Sequence, residues 1–202
     1  MRYARIIGAA AVSLILALGA SVLGGLLPLI VSVVMAVVIA VGWPAATGIK
    51  ARRRHNVIIA AAGVIACSLV NFVPDQQLIW LPAVVGVAFM FVCVAELVRG
   101  EGAEGRLEST LASVTGVMAA VSASGWIGLS HVEELYGLGT WVTVTGVGLP
   151  LALIIGVVGV RIISAAPETP KRRGLLTLGV TPVALLGVAA LFAGRILASV
   201  VA

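Results

Sequence analysis

Seven long apolar segments follow one another in this chain, at about residues 6–23, 26–43, 56–73, 78–98, 110–130, 138–163 and 175–194. Each comes close to the about 20 apolar residues that a helix needs to cross a bilayer. The turns between them are short, and none is long enough to form a separate soluble domain. Of the 202 residues, 61% are hydrophobic and only 10% charged, where a soluble domain would carry roughly 25% charged. So few charges cannot cover a water-facing surface. The sequence therefore predicts an all-α, polytopic transmembrane bundle of about seven spans, forming one integral membrane domain over residues 1–202.

The first segment reads first as an uncleaved spanning helix. Its rival is a cleavable signal peptide, with Arg2 and Arg5 as the basic region and Ala17–Gly19 or Gly19–Ser21 as the small-residue cleavage site. Gly24 and Gly25 make a tight turn into the second segment, which Trp43 and Pro44 are expected to close, because a residue before proline avoids the helical region. Lys50, Arg52, Arg53, Arg54 and His55 then form the most basic loop. A charged, Gly-rich turn from Arg99 to Ser109 separates the fourth and fifth segments, and a last basic loop holds Lys171, Arg172 and Arg173. Residues 195–202 read as a short tail.

Basic residues set the orientation, since cytoplasmic loops carry an excess of Lys and Arg. With the N-terminus in the cytoplasm and seven spans, twelve of the thirteen basic residues fall at the inner side and only Arg195 lies outside. Trp80, Trp126 and Trp141 then fall at the outer interface and Trp43 at the inner one, as an aromatic belt requires. The expected location is the cell membrane, with anionic lipid headgroups at the cytoplasmic basic loops. The net charge of +5 reports this topology, and no nucleic-acid partner is expected.

Two runs stand out as candidate sites. Ala112, Gly116, Ala120 and Ser124 recur every four residues and share one helical face. Such a face lets helices approach closely in lipid, either within the bundle or against another membrane subunit. Thr143, Thr145, Gly146, Gly148 and Pro150 form the second run. Pro150 removes an internal hydrogen bond and the glycines weaken the helix. The outcome is a simple kink, or a broken helix of the kind that lines a transport site. Gly179, Pro182 and Gly187 repeat the theme more mildly in the last segment.

Charges at mid-depth are nearly absent. Glu96 lies within a turn of the inner end of its segment, with Arg99 three residues on, so a local ion pair is expected. The chain is read as lacking the buried carboxylate of a proton-coupled carrier. His55 and His131 fall on opposite faces and cannot share a metal. Glu101, Glu104 and Glu108 read as a solvated turn. No nucleophile elbow, phosphate loop or zinc-protease helix occurs, so no cofactor or metal is expected. Cys67 and Cys93 differ too much in depth for a disulfide. The likeness of residues 63–68 to 116–121 is what an Ala/Val/Gly background yields by chance.

Gly42-Trp43-Pro44, and Arg106-Leu107-Glu108-Ser109 leading into Ser113-Val114-Thr115-Gly116, resemble stretches of poorly characterised small polytopic membrane proteins of high-GC Gram-positive (actinobacterial-type) bacteria. The resemblance covers spans two to five and brings no active site. The function expected is that of a non-enzymatic accessory or assembly subunit of a larger membrane complex. The alternative is a transporter or flippase for a small or lipidic solute.

Overall fold

The computed structural model describes residues 2–47, 52–73, 77–100, 105–136, 144–155, 157 and 172–201. All the regular structure among them is helical, with no strand. The long helices are α1 (Arg2–Leu23), α2 (Leu27–Thr47), α3 (Arg52–Phe72), α4 (Gln77–Leu97), α5 (Arg106–Ser122), α6 (Gly125–Tyr136), α8 (Arg172–Leu185) and α9 (Gly187–Val201). Between α6 and α8 a π-helical turn, Val144–Gly148, opens the short apolar helix α7 (Gly146–Ile155).

Six helical stretches are long and apolar enough to cross a membrane. Four are single helices. The other two are compound: α5 and α6 run together as Arg106–Val132, and α8 and α9 as Gly174–Val200. Helix α7 and the π-helical turn fall inside the expected span 138–163, of which residues 138–143, 156 and 158–163, Trp141 and Thr143 among them, lie outside the described residues. The chain is thus a multi-pass helical bundle, as its apolar segments predict.

Glycine sets the hairpins. Gly24 and Gly25 both take the left-handed conformation, with φ of 67° and 64°, which costs other residues Cβ strain. Gly105, at φ 70°, starts α5 in the same way. Two ends differ from expectation. Helix α2 does not stop at Trp43 but runs through Pro44 to Thr47. There the Thr47 hydroxyl donates to the Trp43 carbonyl at 2.9 Å, and the Trp43 indole donates to the Ala112 carbonyl of α5. One local and one tertiary bond thus hold a turn that local propensity would end. The expected tail at 195–202 is instead helical to Val201, because Leu191 and Ala198 bury against Val132 of α6.

Helix α2 is the central element and packs on α1, α3, α5 and α8. Its Met35, Ala36, Ile39 and Ala40 are buried in the main core. Helix α4 is an edge helix: 22% of its spanning window is buried, against 67% for Arg106–Val132, and it packs chiefly on α3 and α5. The starts of α3, α5 and α8 gather with the ends of α2 and α4. Gly174, for example, lies against the Ala46 backbone. This is the basic end of the bundle. At the opposite end Gly24 faces the Glu134 carboxylate.

The two compound spans cross at their breaks. A Cβ on Gly125 would lie 2.2 Å from the Gly187 carbonyl carbon, and one on Gly187 would lie 2.3 Å from the Ser122 carbonyl oxygen. Only glycine permits this approach. Trp126 fills the space beside it, fully buried. Its indole donates to the Val183 carbonyl at 3.1 Å, and its own carbonyl accepts from Ser21 at 3.0 Å. Trp126 is therefore not a belt residue at the outer interface but a core residue. The N–H that marks it as interfacial in sequence is satisfied by a carbonyl near the break between α8 and α9.

Candidate functional site

The most polar place in the described core lies at the basic end, where α3, α4 and α5 meet. His55, one turn into α3, is fully buried, and Glu96, in the last turn of α4, is 5% exposed. The His55 Nε2 atom lies 3.0 Å from Glu96 Oε1. The same carboxylate oxygen accepts from Ser109 Oγ at 2.5 Å, and Oε2 accepts from Arg99 at 2.7 Å. One turn further along α5, Ser113 Oγ lies 2.7 Å from His55 Nδ1 and donates to the Ser109 carbonyl at 2.7 Å. Arg106 completes the cluster by donating to the Glu96 carbonyl at 2.8 Å.

Helix geometry explains how this forms. Ser109 and Ser113 are four residues apart and so share a face of α5. Antiparallel packing brings the start of α3, the end of α4 and the start of α5 to one depth. Arg53 and Arg54 lie in the first turn of α3, where positive charge opposes the helix dipole. The Glu96 carboxylate brings negative charge to that same end.

The expected Glu96–Arg99 ion pair is present. The expectation that the chain lacks a buried carboxylate is overturned, because the carboxylate of that pair faces inward to His55 and Ser109. Sequence spacing links Glu96 to Arg99 but not to His55, which is 41 residues earlier. The signal available was depth: four polar residues, each within about two turns of a helix end at the basic side.

The Ser113–His55–Glu96 chain places a hydroxyl, an imidazole and a carboxylate in hydrogen-bonding order. Ser109 is 4% exposed and Ser113 and His55 fully buried, so no ester or amide reaches either hydroxyl. Every polar side chain in the cluster has a partner. Fully satisfied networks of this kind rigidify a core, and this one clamps three helices together. Among the described residues no three of His, Cys, Asp and Glu gather to hold a metal. Cys67 and Cys93 are both free thiols.

The structure places the expected small-residue face inside the bundle. A Cβ on Gly116 would lie 2.7 Å from the Trp43 ring, and Ala120 lies against Gly63. Ala112 supplies the carbonyl that Trp43 binds, and Ser124 is buried, donating to the Val121 carbonyl. The second run begins in the π-helical turn, which contains Thr145, Gly146 and Gly148, with Pro150 in the helix after it. Gly146 makes room for Leu197 and Gly148 for Leu18. The two runs do not meet the His55 cluster in one site, although the first shares α5 with it.

On its lipid-facing side the bundle carries an apolar groove between α3 and α4. It has a volume of about 420 Å³ and is lined by residues including Val57, Ala61, Ile65, Val84, Val87 and Phe91. A second cleft of about 570 Å³ continues it toward the basic end, where Arg53 and Arg54 form its wall. No protein-family model, curated protein or solved structure shows detectable similarity to this chain.

Proposed function

We propose that this chain is a non-enzymatic multi-pass protein of the cell membrane that works by association, as an accessory or assembly subunit of a larger membrane complex. The basic end faces the cytoplasm, where its loops meet anionic headgroups. The observation that carries the reading is Gly86. It lies in the middle of α4, exposed, and a Cβ there would meet nothing within 4 Å. A glycine inside a helix costs about 1 kcal/mol relative to alanine. At Gly63, Gly116 and Gly125 close helix approach explains the glycine. At Gly86, as at Gly8 and Gly19 of α1, nothing among the described residues does. A helix of another subunit seated on that face supplies the missing contact, since small residues are enriched where membrane helices pack. Pro82, Phe89, Met90 and Leu97 are exposed on the same side of the edge helix. Native electrophoresis of mildly solubilised host membranes tests this. The wild-type chain is expected to migrate in a larger complex, and Gly86→Leu to migrate alone. A lone wild-type band, or a complex indifferent to Gly86→Leu, contradicts it.

The second reading, a transporter or flippase for a small or lipidic solute, is supported by the π-helical turn just before Pro150. Such turns are frequent at functional sites. On that reading the Thr145→Val, Pro150→Ala double variant loses transport at equal expression.

A further inference from the structure

The groove between α3 and α4 is a different surface from the Gly86 face, and it has its own chemistry. Its upper part is wholly apolar and aromatic. Its lower part shares Val57, Ile58 and Phe91 with the upper, so the two form one channel, and there the wall gains Arg53 and Arg54. Both arginines are exposed, and among the described residues no acid lines the cleft with them. Arg99 and Arg106 do not compete for that role, because each is held by Glu96. The His55 clamp sets the arrangement. With His55 turned into the core, Arg54 sits about 100° round the helix from it, on the groove wall.

Size decides what fits. Arg54 and Ile65 are eleven residues apart, about 16 Å along the helix. That is about half of the roughly 30 Å hydrocarbon core, or one leaflet. The wholly apolar lining over that one-leaflet length, ending at two arginines, suits a hydrocarbon chain beneath a headgroup.

We infer that this groove binds one anionic phospholipid of the cytoplasmic leaflet, with its phosphate on Arg53 and Arg54 and an acyl chain between α3 and α4. The leaflet follows from the orientation proposed above, and the site itself does not depend on a partner subunit. Basic pockets between membrane helices on the cytoplasmic side are suited to such headgroups.

Native mass spectrometry of the delipidated protein tests the inference, with dioleoyl phosphatidylglycerol and dioleoyl phosphatidylcholine as probes. Phosphatidylglycerol is expected to bind at least about tenfold more tightly, the effect of two arginines on an anionic headgroup. Arg53→Gln combined with Arg54→Gln should bring the two lipids level, while Arg53→Lys with Arg54→Lys keeps most of the preference. Ala61→Phe, at an exposed groove position, fills the channel without entering the core and should weaken both lipids, and Ile65→Trp gives a second plug. Arg172→Gln with Arg173→Gln, in the other basic region, should change nothing. Equal binding of the two lipids by the wild type overturns the inference. So does a loss of preference in the Arg172/Arg173 variant equal to that in the Arg53/Arg54 variant, which would mean diffuse attraction. So does phosphatidylglycerol binding unchanged in both plug variants. Labelling a cysteine at residue 53 in intact cells reads the leaflet separately, so a wrong orientation is distinguishable from a wrong site.

Discussion

Glu96 joins three helices. Its carboxylate meets His55 of α3 and Ser109 of α5, and its carbonyl takes the Arg106 guanidinium. Burying such a pair is expensive, and the cluster persists because each charge and hydroxyl is partnered. Removing one partner leaves the other buried and uncompensated, at a cost of about 3–5 kcal/mol. Replacing both by apolar residues of similar size removes the orphan. We expect His55→Leu and Glu96→Leu each to lower unfolding stability in detergent by about 3 kcal/mol. The double variant should lose clearly less than the sum, with a coupling of about 1–3 kcal/mol. Additive losses would mean that the pair is not a unit. Of this site the sequence reveals the local part, since Glu96 and Arg99 lie on adjoining turns of one helix. It hides the rest, because which face of α4 turns inward depends on how α3 and α5 pack against it.

The helix breaks are the features that sequence periodicity reads least well. The stretch from Thr110 to Ser130 reads as one unbroken span, yet the helix is interrupted at Ala123 and Ser124. Nothing local demands it. The interruption belongs to the crossing with the second compound span, where Gly125 meets Gly187 and Trp126 seals the gap. On the other span of that crossing, Gly179, Pro182 and Gly187 are visible in sequence as helix-weakening residues, and the helix does break there, between Leu185 and Gly187. The glycine at a crossing and the glycine on an open face make opposite predictions. Gly125→Ala forces a methyl into the Gly187 backbone and should cost about 3 kcal/mol or more, at the upper end of overpacking. Gly86→Ala enters open space and should stabilise the isolated chain by up to about 1 kcal/mol. Thermal unfolding of the two purified variants in the same detergent checks both signs. A tolerated Gly125→Ala would contradict the close crossing.

At the scale of the molecule, the spacing of apolar segments carries most of the architecture. Six spans and the short helix Gly146–Ile155 fall where the hydropathy pattern puts them, because lipid leaves the backbone few alternatives to helix. What that pattern cannot carry is neighbour order: which helix is central, which lies at the edge, and that the small-residue face of α5 is consumed inside the bundle. The leaflet of the proposed lipid site and the placing of the basic loops both rest on one vectorial claim, that the basic end faces the cytoplasm. Cysteine accessibility in intact cells tests it most directly, using Arg53→Cys at the basic end and Glu134→Cys at the other, each in a background with Cys67 and Cys93 replaced by alanine. An impermeant maleimide added from outside is expected to label residue 134 in intact cells and residue 53 only after the membrane is opened. Labelling of residue 53 from outside, with residue 134 protected, would contradict the account.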